Sequence, residues 1–284
     1  MWAYKNPKEA DQKYCGSSYL TNLTGLIGTI FLWMYWPSFN GALEVGNGKS
    51  RAAINTTLSL LTSVCAAMLT SMALHKGKVN AEQVLNATLA GGVMMGSSCD
   101  MIVSPFISLC VGFVAGTIST LGFQFGPRIV YGYLKLHDTC GVFYLHFIPG
   151  ILGGLLSGLI AGVSEAKLYG PDLNNVYSMM GPGHSRGHSV QGGIQIAALA
   201  TTLGIGAVTG ALTGAILRIP WIWNEPKVFF HDREYFEFAH RDHAVVVDIV
   251  DKNRPVEENV EDAEEVEAKD KTDNHEEGKI DKKN

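Results

Sequence analysis

The sequence predicts an all-α fold, a polytopic membrane bundle of about six transmembrane helices. Charged residues make up 17% of the chain and hydrophobic residues 46%. Six apolar or weakly polar runs approach the ~20 residues that a helix needs to cross a bilayer. The 32 glycines suit helix packing in lipid, where small residues let two backbones approach closely. Together these features exclude an ordinary soluble fold.

The six runs cover residues 20–43, 52–74, 83–103, 105–125, 138–164 and 191–219. The third is the most polar, because it contains Asn86 and the sequence Ser-Ser-Cys-Asp at 97–100. Only Ser104 and Pro105 separate it from the fourth run. Proline at this point suits a sharp reversal or the first turn of a new helix.

The charge distribution divides the chain into three parts. We assign 1–19 to a cytoplasmic N-terminal segment, 20–219 to the transmembrane bundle, and 220–284 to a cytoplasmic juxtamembrane segment with an acidic tail. From Glu257 onward the chain contains twelve acidic residues and five lysines, which gives a net charge of about −7. Such a composition buries too little apolar area to offset chain entropy, which predicts disorder in the tail.

Lysine and arginine set the predicted orientation. Placing both termini in the cytoplasm leaves the loop 165–190 outside and puts more basic residues on the inner side, as the positive-inside rule expects. The inner side then holds Lys5, Lys8, Lys13, Lys76, Lys78, Arg128, Lys135 and Arg218, and the outer side holds Lys49, Arg51, Lys167 and Arg186.

No motif in the sequence predicts an enzyme or a metal site. The five cysteines form no CxxC pair, and no phosphate loop or nucleophile and base constellation appears. His184 and His188 have an HxxxH spacing, but glycine, serine and arginine around them disfavour the helix that such a metal site needs. We therefore expect no enzyme activity, no cofactor, no metal and no nucleic-acid partner.

Glycine recurs every fourth residue in the fifth and sixth runs. Residues four apart share a helix face, so each ladder predicts a flat groove for another helix. For a single GxxxG the alternative is that glycine is merely common in membrane helices. The ladders are Gly150, Gly154, Gly158 and Gly162 in the fifth run, and Gly206, Gly210 and Gly214 in the sixth.

His146 is the most informative polar residue inside a predicted span. If the fifth helix starts at Asp138, His146 lies ~12 Å along it, near the middle of the hydrocarbon. An ionisable group at that depth is a functional hypothesis by default. The alternative, a neutral imidazole that hydrogen-bonds a neighbouring helix and only stabilises the bundle, has equal weight from position alone. For Asp138 we favour helix capping over a direct part in transport.

The outer end of the first run carries the sequence LWMYWPSFN at residues 32–40. Trp33 and Tyr35 are typical of an aromatic belt at the lipid headgroups. The proline that follows is harder to explain as a belt, because Pro37 frees backbone groups that must be satisfied nearby.

With these residues in hand, the chain resembles the Rh glycoprotein branch of the ammonium transporter (Amt/Mep/Rh) family. The resemblance extends from the N-terminus to about Phe238. It rests on IGTIFLWMYWPSFNGAL at 27–43, RAAINTTLSLL at 51–61, NATLAGGVMMG at 86–96, GFVAGTISTLGF at 112–123, HDTCG with LHFIPGILGG in 137–154, and EPKVFFHDREYFEF in the juxtamembrane segment.

The resemblance implies a role for several residues. His146 matches the second of the family's two pore histidines, and Phe39 matches one of two stacked phenylalanines that close the outer end of the pore. Trp36 and Asn40 stand beside that phenylalanine, and Asp138 matches the family's acidic residue at the start of the histidine-bearing helix. The partner histidine and the second gate phenylalanine belong to helices that this chain does not supply.

The resemblance also implies the architecture. Family members carry 11 or 12 helices, so the six predicted here correspond to the C-terminal half, the second inverted repeat plus the last helix. The family's substrate path lies between the repeats, as is usual in such transporters. The chain also departs from the family at Phe147, where Rh proteins have a small glycine, and at Val142, Phe143 and Tyr144.

We therefore expect ammonium or ammonia transport through a hydrophobic pore, which this chain lines incompletely. The implied partners are ammonia, ammonium or carbon dioxide as substrate, the lipid bilayer, and either a homotrimer or an assembly with the missing half. The expected location is the plasma membrane. The alternative is a non-conducting structural or interaction subunit of an Rh-type complex.

Overall fold

A computed structural model describes residues 16–134, 136, 138–181 and 183–219. They lie within one compact unit of the chain, residues 1–230. Most of the predicted N-terminal segment and all of the predicted juxtamembrane segment and tail lie outside the described residues. Within those residues every regular element is helical, which confirms the all-α class.

Eight α-helices, a π-helical turn and two short 3₁₀ turns make up the described part of the chain. In chain order they are α1 (Tyr19–Asn40), α2 (Asn47–Leu74), α3 (Ala81–Ala87), α4 (Ala90–Met95), α5 (Pro105–Leu134), the π turn (Phe143–Phe147), α6 (Ile148–Val163), the 3₁₀ turns (Ala166–Leu168 and Gly170–Asp172), α7 (Leu173–Val176) and α8 (His188–Leu217).

Within the described part of the chain, four helical segments are long and apolar enough to cross a membrane. They are α2, α5, the π turn continued by α6, and α8. At 22 residues α1 has a comparable length, but Thr21, Asn22 and Thr24 make its first turns more polar. Its N-terminus is closed by Ser18, whose hydroxyl accepts a hydrogen bond from the Thr21 amide at 3.2 Å.

The prediction of one continuous helix over 83–103 is wrong. The segment forms two short helices, α3 and α4, followed by turns to Ser104. A broken backbone at membrane depth needs partners inside the protein, and α2 supplies them. Ser63 donates to the Ala87 carbonyl at 2.9 Å, and Asn55 donates to the carbonyls of Cys99 and Ile102 at 2.8 and 2.7 Å.

The core of the bundle is the packing of α2 against the broken segment and α5. The side of α2 that faces them is built of small residues, among them Ala52, Ser59, Ser63 and Ala66, which are fully buried. Small side chains on facing helices allow close approach and many dispersion contacts. This packing fixes α4 beside α1, where the candidate site lies.

The entry into α6 runs inside the bundle. Tyr144 is 2% exposed and packs on Gly122 and Gly126 of α5. These glycines lie about 18 and 12 Å from the end of α5 at Leu134, at 1.5 Å per residue. The π turn therefore packs beside α5 well short of the C-terminal end of that helix. Gly141 has a φ of +69°, a conformation that glycine adopts without steric cost.

The glycine ladder of α6 meets α8 along part of its length. A Cβ at Gly154 would lie 2.8 Å from Leu199, and one at Gly158 would lie 2.5 Å from Ile196. Near the C-terminal end of α6, a Cβ at Gly192 would lie 2.6 Å from the Gly158 carbonyl and 3.1 Å from the Gly162 backbone. By contrast, a Cβ at Gly150, Gly206 or Gly210 would meet no atom of the described residues within 4 Å.

Candidate functional site

The structure brings His146 and Trp36 together. Their rings are stacked, with centroids 6.3 Å apart and planes 13° apart. Trp36 also meets Phe39 edge-on, with centroids 6.3 Å apart and planes 69° apart. Three of the four residues that the resemblance assigned to a substrate path therefore form one aromatic row from the π turn before α6 to the last turn of α1.

This row lies on an open face of the described residues. His146 is exposed, and the Phe39 side chain is 76% exposed. Large apolar surface of this kind in a membrane bundle marks a face for lipid, another helix or a pore. An imidazole on such a face offers one donor and one acceptor nitrogen to whatever passes along it.

Asn40, the fourth predicted path residue, is held in place by other groups. Its side-chain amide donates to the Thr56 hydroxyl at 3.1 Å and to the Gly92 carbonyl at 3.0 Å. These two bonds connect the end of α1 to α2 and α4. Asn40 therefore positions the last turn of α1, which carries Phe39, and both of its donor hydrogens are occupied.

Gly92 sets how deeply Trp36 can sit. A Cβ at this position would lie 2.6 Å from the indole nitrogen, so only glycine lets the ring rest on the α4 backbone. The indole N–H is buried and has no hydrogen-bond partner among the described residues. A buried donor without a partner is uncommon. The indole N–H of Trp36 is therefore a polar group within an otherwise apolar part of the row.

His146 is placed by a π-helical turn rather than by a helix that starts at Asp138. The turn spans Phe143–Phe147, so the predicted helix start is about five residues early. A π turn adds a residue to the helical ladder and is often found at functional sites. The depth of His146 follows from the Tyr144 packing described above and not from a count along a helix from Asp138.

Asp138 hydrogen-bonds the start of this turn. One carboxylate oxygen accepts from the Val142 amide at 3.0 Å, and the other accepts from the Phe143 amide at 2.7 Å. The first amides of a helix have no partner within the helix, and here the helix starts inside the bundle. The carboxylate therefore satisfies two donors on the segment that carries His146.

Replacing Asp138 by alanine is expected to lower the free energy of unfolding by about 1–2 kcal/mol, the cost of a lost cap. Asp138→Asn keeps one acceptor oxygen and should lose less. Thermal unfolding of the purified chain in detergent measures the difference. Thr139→Ala, an exposed neighbour, is the matched control; a chain that unfolds alike with alanine at either position contradicts the capping role.

Aromatic side chains crowd the turn on both sides of His146. The rings of Phe143 and Phe147 are 4.6 Å apart at 31°, and Phe143 meets Tyr144 edge-on at 5.7 Å. Tyr144 in turn meets Phe123 of α5 at 5.5 Å. Such offset or edge-on pairs are favourable beyond their buried area. They tie the turn to α5.

The predicted outer loop folds back onto the bundle. Tyr169 and Tyr177 are 4% and 2% exposed, and the Tyr169 hydroxyl donates to the Met101 carbonyl at 2.7 Å. Arg51 pairs with Asp172 at 3.6 Å and lies 5.6 Å from the centre of the Tyr169 ring. These contacts hold the loop over the ends of α2 and α4.

Two titratable groups at the same end of the bundle have raised pKa values. Burial raises the pKa of the Glu44 carboxyl, and the positive charge of Arg51 opposes the shift. Burial and a hydrogen bond with Tyr169 raise the pKa of the Tyr177 hydroxyl. Both groups lie outside the helices that cross the membrane.

Sequence reasoning missed Thr56 and Gly92, which hold Asn40 and Trp36. Both occur in the stretches INTT and AGG that carried the resemblance, but a threonine or glycine in a membrane helix has no distinctive spacing. It also missed the contact between Phe143 and Phe147. Their spacing of four residues was the available signal, since residues at i and i+4 meet on a helix surface.

Comparison with known proteins places the chain in a family. The model of the Ammonium Transporter Family matches residues 3–235. The chain is 40% identical over 248 residues to Ammonium transporter Rh type C of Xenopus tropicalis, covering 85% of this chain and 53% of that relative. It is 40% identical over 237 residues to Ammonium transporter Rh type B of Bos taurus, covering 82% and 52%.

A solved structure supports the same placement. Rh50 of Nitrosomonas europaea, described as informing conduction by the Rhesus family of channels, superposes with a TM-score of 0.65 at 27% identity, covering 92% of this chain and 56% of that one. The chain thus spans about half the length of the relatives it matches. It belongs to the Rh branch of the ammonium transporter family, whose members are integral membrane transporters rather than enzymes.

Proposed function

We propose that the chain forms one wall of an Rh-type pore that conducts ammonia or ammonium across the plasma membrane. The observation that carries the proposal is the row of Phe39, Trp36 and His146 on an open face of the bundle. Its termini lie in the cytoplasm, and its assembly is a homotrimer or a complex with helices that cover the open face.

The chemistry of the row suits a small neutral amine. Ammonium is costly to dehydrate in an apolar channel, whereas ammonia crosses if a nitrogen along the path offers it a hydrogen bond. The His146 imidazole can offer that bond in either direction. Phe39 and Trp36 present aromatic faces that attract a cation near the mouth, before it loses a proton. Carbon dioxide is a second small substrate for the same apolar path.

The open face is the reason that we propose one wall rather than a whole pore. A closed path needs apolar or aromatic atoms on every side of the imidazole. Among the described residues His146 has Trp36 on one side and an exposed surface on the other. Further helices would therefore have to cover Phe39 and His146 before the path excludes lipid.

The test measures ammonia and methylammonium flux in proteoliposomes. The chain is reconstituted alone and fused to the part of the Xenopus tropicalis Rh type C relative that has no counterpart in it. Flux is expected only from the fusion, with the relative itself as the positive control. A folded fusion that carries neither amine overturns the proposed conduction, and flux from the 284-residue chain alone overturns the single-wall proposal.

A second candidate, a non-conducting structural subunit, draws on the aromatic crowding around His146. Phe143, Tyr144 and Phe147 surround the turn with large rings, which suits packing as well as transport. In that case the fusion folds and assembles but carries no ammonia, and His146 substitutions change only its stability.

A further inference from the structure

His146 and Phe147 border the same open strip on the surface of α6. Residues three and four apart are neighbours on a helix surface, so both lie next to Gly150, one turn further along. A Cβ added at Gly150 would meet no atom of the described residues within 4 Å. The imidazole is exposed, and the Phe147 ring is 43% exposed.

Packed helices bound this strip on its two sides. On one side a Cβ at Gly153 would lie 2.5 Å from the Met94 carbonyl of α4. On the other a Cβ at Gly154 would lie 2.8 Å from Leu199 of α8. Gly150 lies between these two directions, so the strip runs between the α4 and α8 contacts. By helical periodicity, His146 falls on the α4 side of Gly150 and Phe147 on the α8 side.

The Phe147 ring is held in position from behind. Phe143, one π turn earlier, stacks against it with ring centroids 4.6 Å apart. Phe143 is in turn packed on the buried Tyr144. A ring supported by such a chain of contacts forms a firm wall, because moving it gives up dispersion contacts along the whole chain.

We propose that Phe147, backed by Phe143, is a size-selecting wall opposite His146. This inference rests on the proposed conduction along the His146 face. A path bounded by an imidazole on one side and a fixed phenyl ring on the other admits ammonia. It penalises an amine that carries one more methyl group, such as methylamine, because the added volume must displace the supported ring.

The test compares two fluxes in the fusion protein described above. Phe147→Gly is expected to raise the ratio of methylamine to ammonia flux roughly tenfold, the lower end of discrimination by one methylene in an apolar pocket. Phe147→Leu, a smaller change, should raise it less. Gly150→Ala adds a methyl group to the strip and should lower methylamine flux more than ammonia flux.

Phe125→Leu is the matched control, since this ring is 52% exposed on α5 and lies away from the strip. An unchanged flux ratio in Phe147→Gly and Phe147→Leu, with ammonia still conducted, overturns the size-selecting wall and leaves the proposed function intact. If the parent fusion carries no ammonia, the proposed function fails instead. Should Phe147→Gly fail to fold, Phe147→Leu and Gly150→Ala decide the matter, because one removes only part of the side-chain volume and the other adds a methyl group.

Discussion

His146→Leu in the fusion protein is expected to reduce ammonia flux about 5- to 150-fold. Leucine keeps an apolar side chain of similar length but offers no nitrogen to the passing molecule. An unmade hydrogen bond in an apolar environment costs about 1–3 kcal/mol, and each ~1.4 kcal/mol in a barrier is tenfold in rate. Stopped-flow measurement of the pH change inside proteoliposomes gives the flux.

His184→Leu serves as the control, because this histidine lies exposed in the loop before α8. It should conduct as the parent does. Thermal unfolding of each variant separates transport from packing. If His146→Leu conducts normally and only its stability falls, the imidazole stabilises the bundle and the pore assignment of His146 is wrong.

Gly112→Ala is expected to prevent close packing of α2 and α5. A Cβ at this position would overlap the Ser59 carbonyl and the Thr62 hydroxyl on the facing helix. The carbonyl belongs to the backbone, so the helices themselves must separate, and overpacking of this kind costs typically about 1–3 kcal/mol or more. The variant should show a lower unfolding temperature and a lower yield of folded protein in detergent.

Gly132→Ala in the same helix is the matched control. Its added Cβ would meet no atom of the described residues within 4 Å, and alanine is about 1 kcal/mol more favourable than glycine in a helix interior. It should be neutral or stabilising. Equal unfolding of both variants would show that the contact at Gly112 yields easily, contrary to the packing described above.

Hydrophobic length predicted the long helices well. The runs at 52–74, 105–125 and 191–219 correspond to α2, α5 and α8, and Pro105 is the first residue of α5. An apolar run long enough to cross a bilayer satisfies its backbone only as a helix. No information from elsewhere in the chain is needed to infer it.

The prediction of a continuous helix over the third run failed because residues outside the run hydrogen-bond its backbone. Asn55, Ser59 and Ser63 of α2 bond carbonyls of the broken segment, which removes the need for a continuous helix. Those residues lie 24 to 47 positions before the carbonyls that they bond. Periodicity within the run therefore gives no sign of the break.

The predicted start of the histidine-bearing helix was wrong for a related reason. Aspartate is a common helix-capping residue, and the sequence predicted that Asp138 caps the helix start. The structure lets its carboxylate reach the amides of Val142 and Phe143 across a non-helical turn. A side chain that caps from four residues away moves the helix boundary without changing the sequence pattern.

By itself the sequence determined the helical membrane class, the residues of the aromatic row and the family resemblance, because these depend on composition and local order. Only the tertiary structure decided that His146 stacks on Trp36, that Asn40 is bound to α2 and α4, and that the Phe147 ring packs against Phe143. The physical reason is that these contacts depend on aromatic side chains that pack directly on the backbone at Gly92, Gly122 and Gly126. Such close approaches join distant parts of the chain and leave only a common glycine in the local sequence.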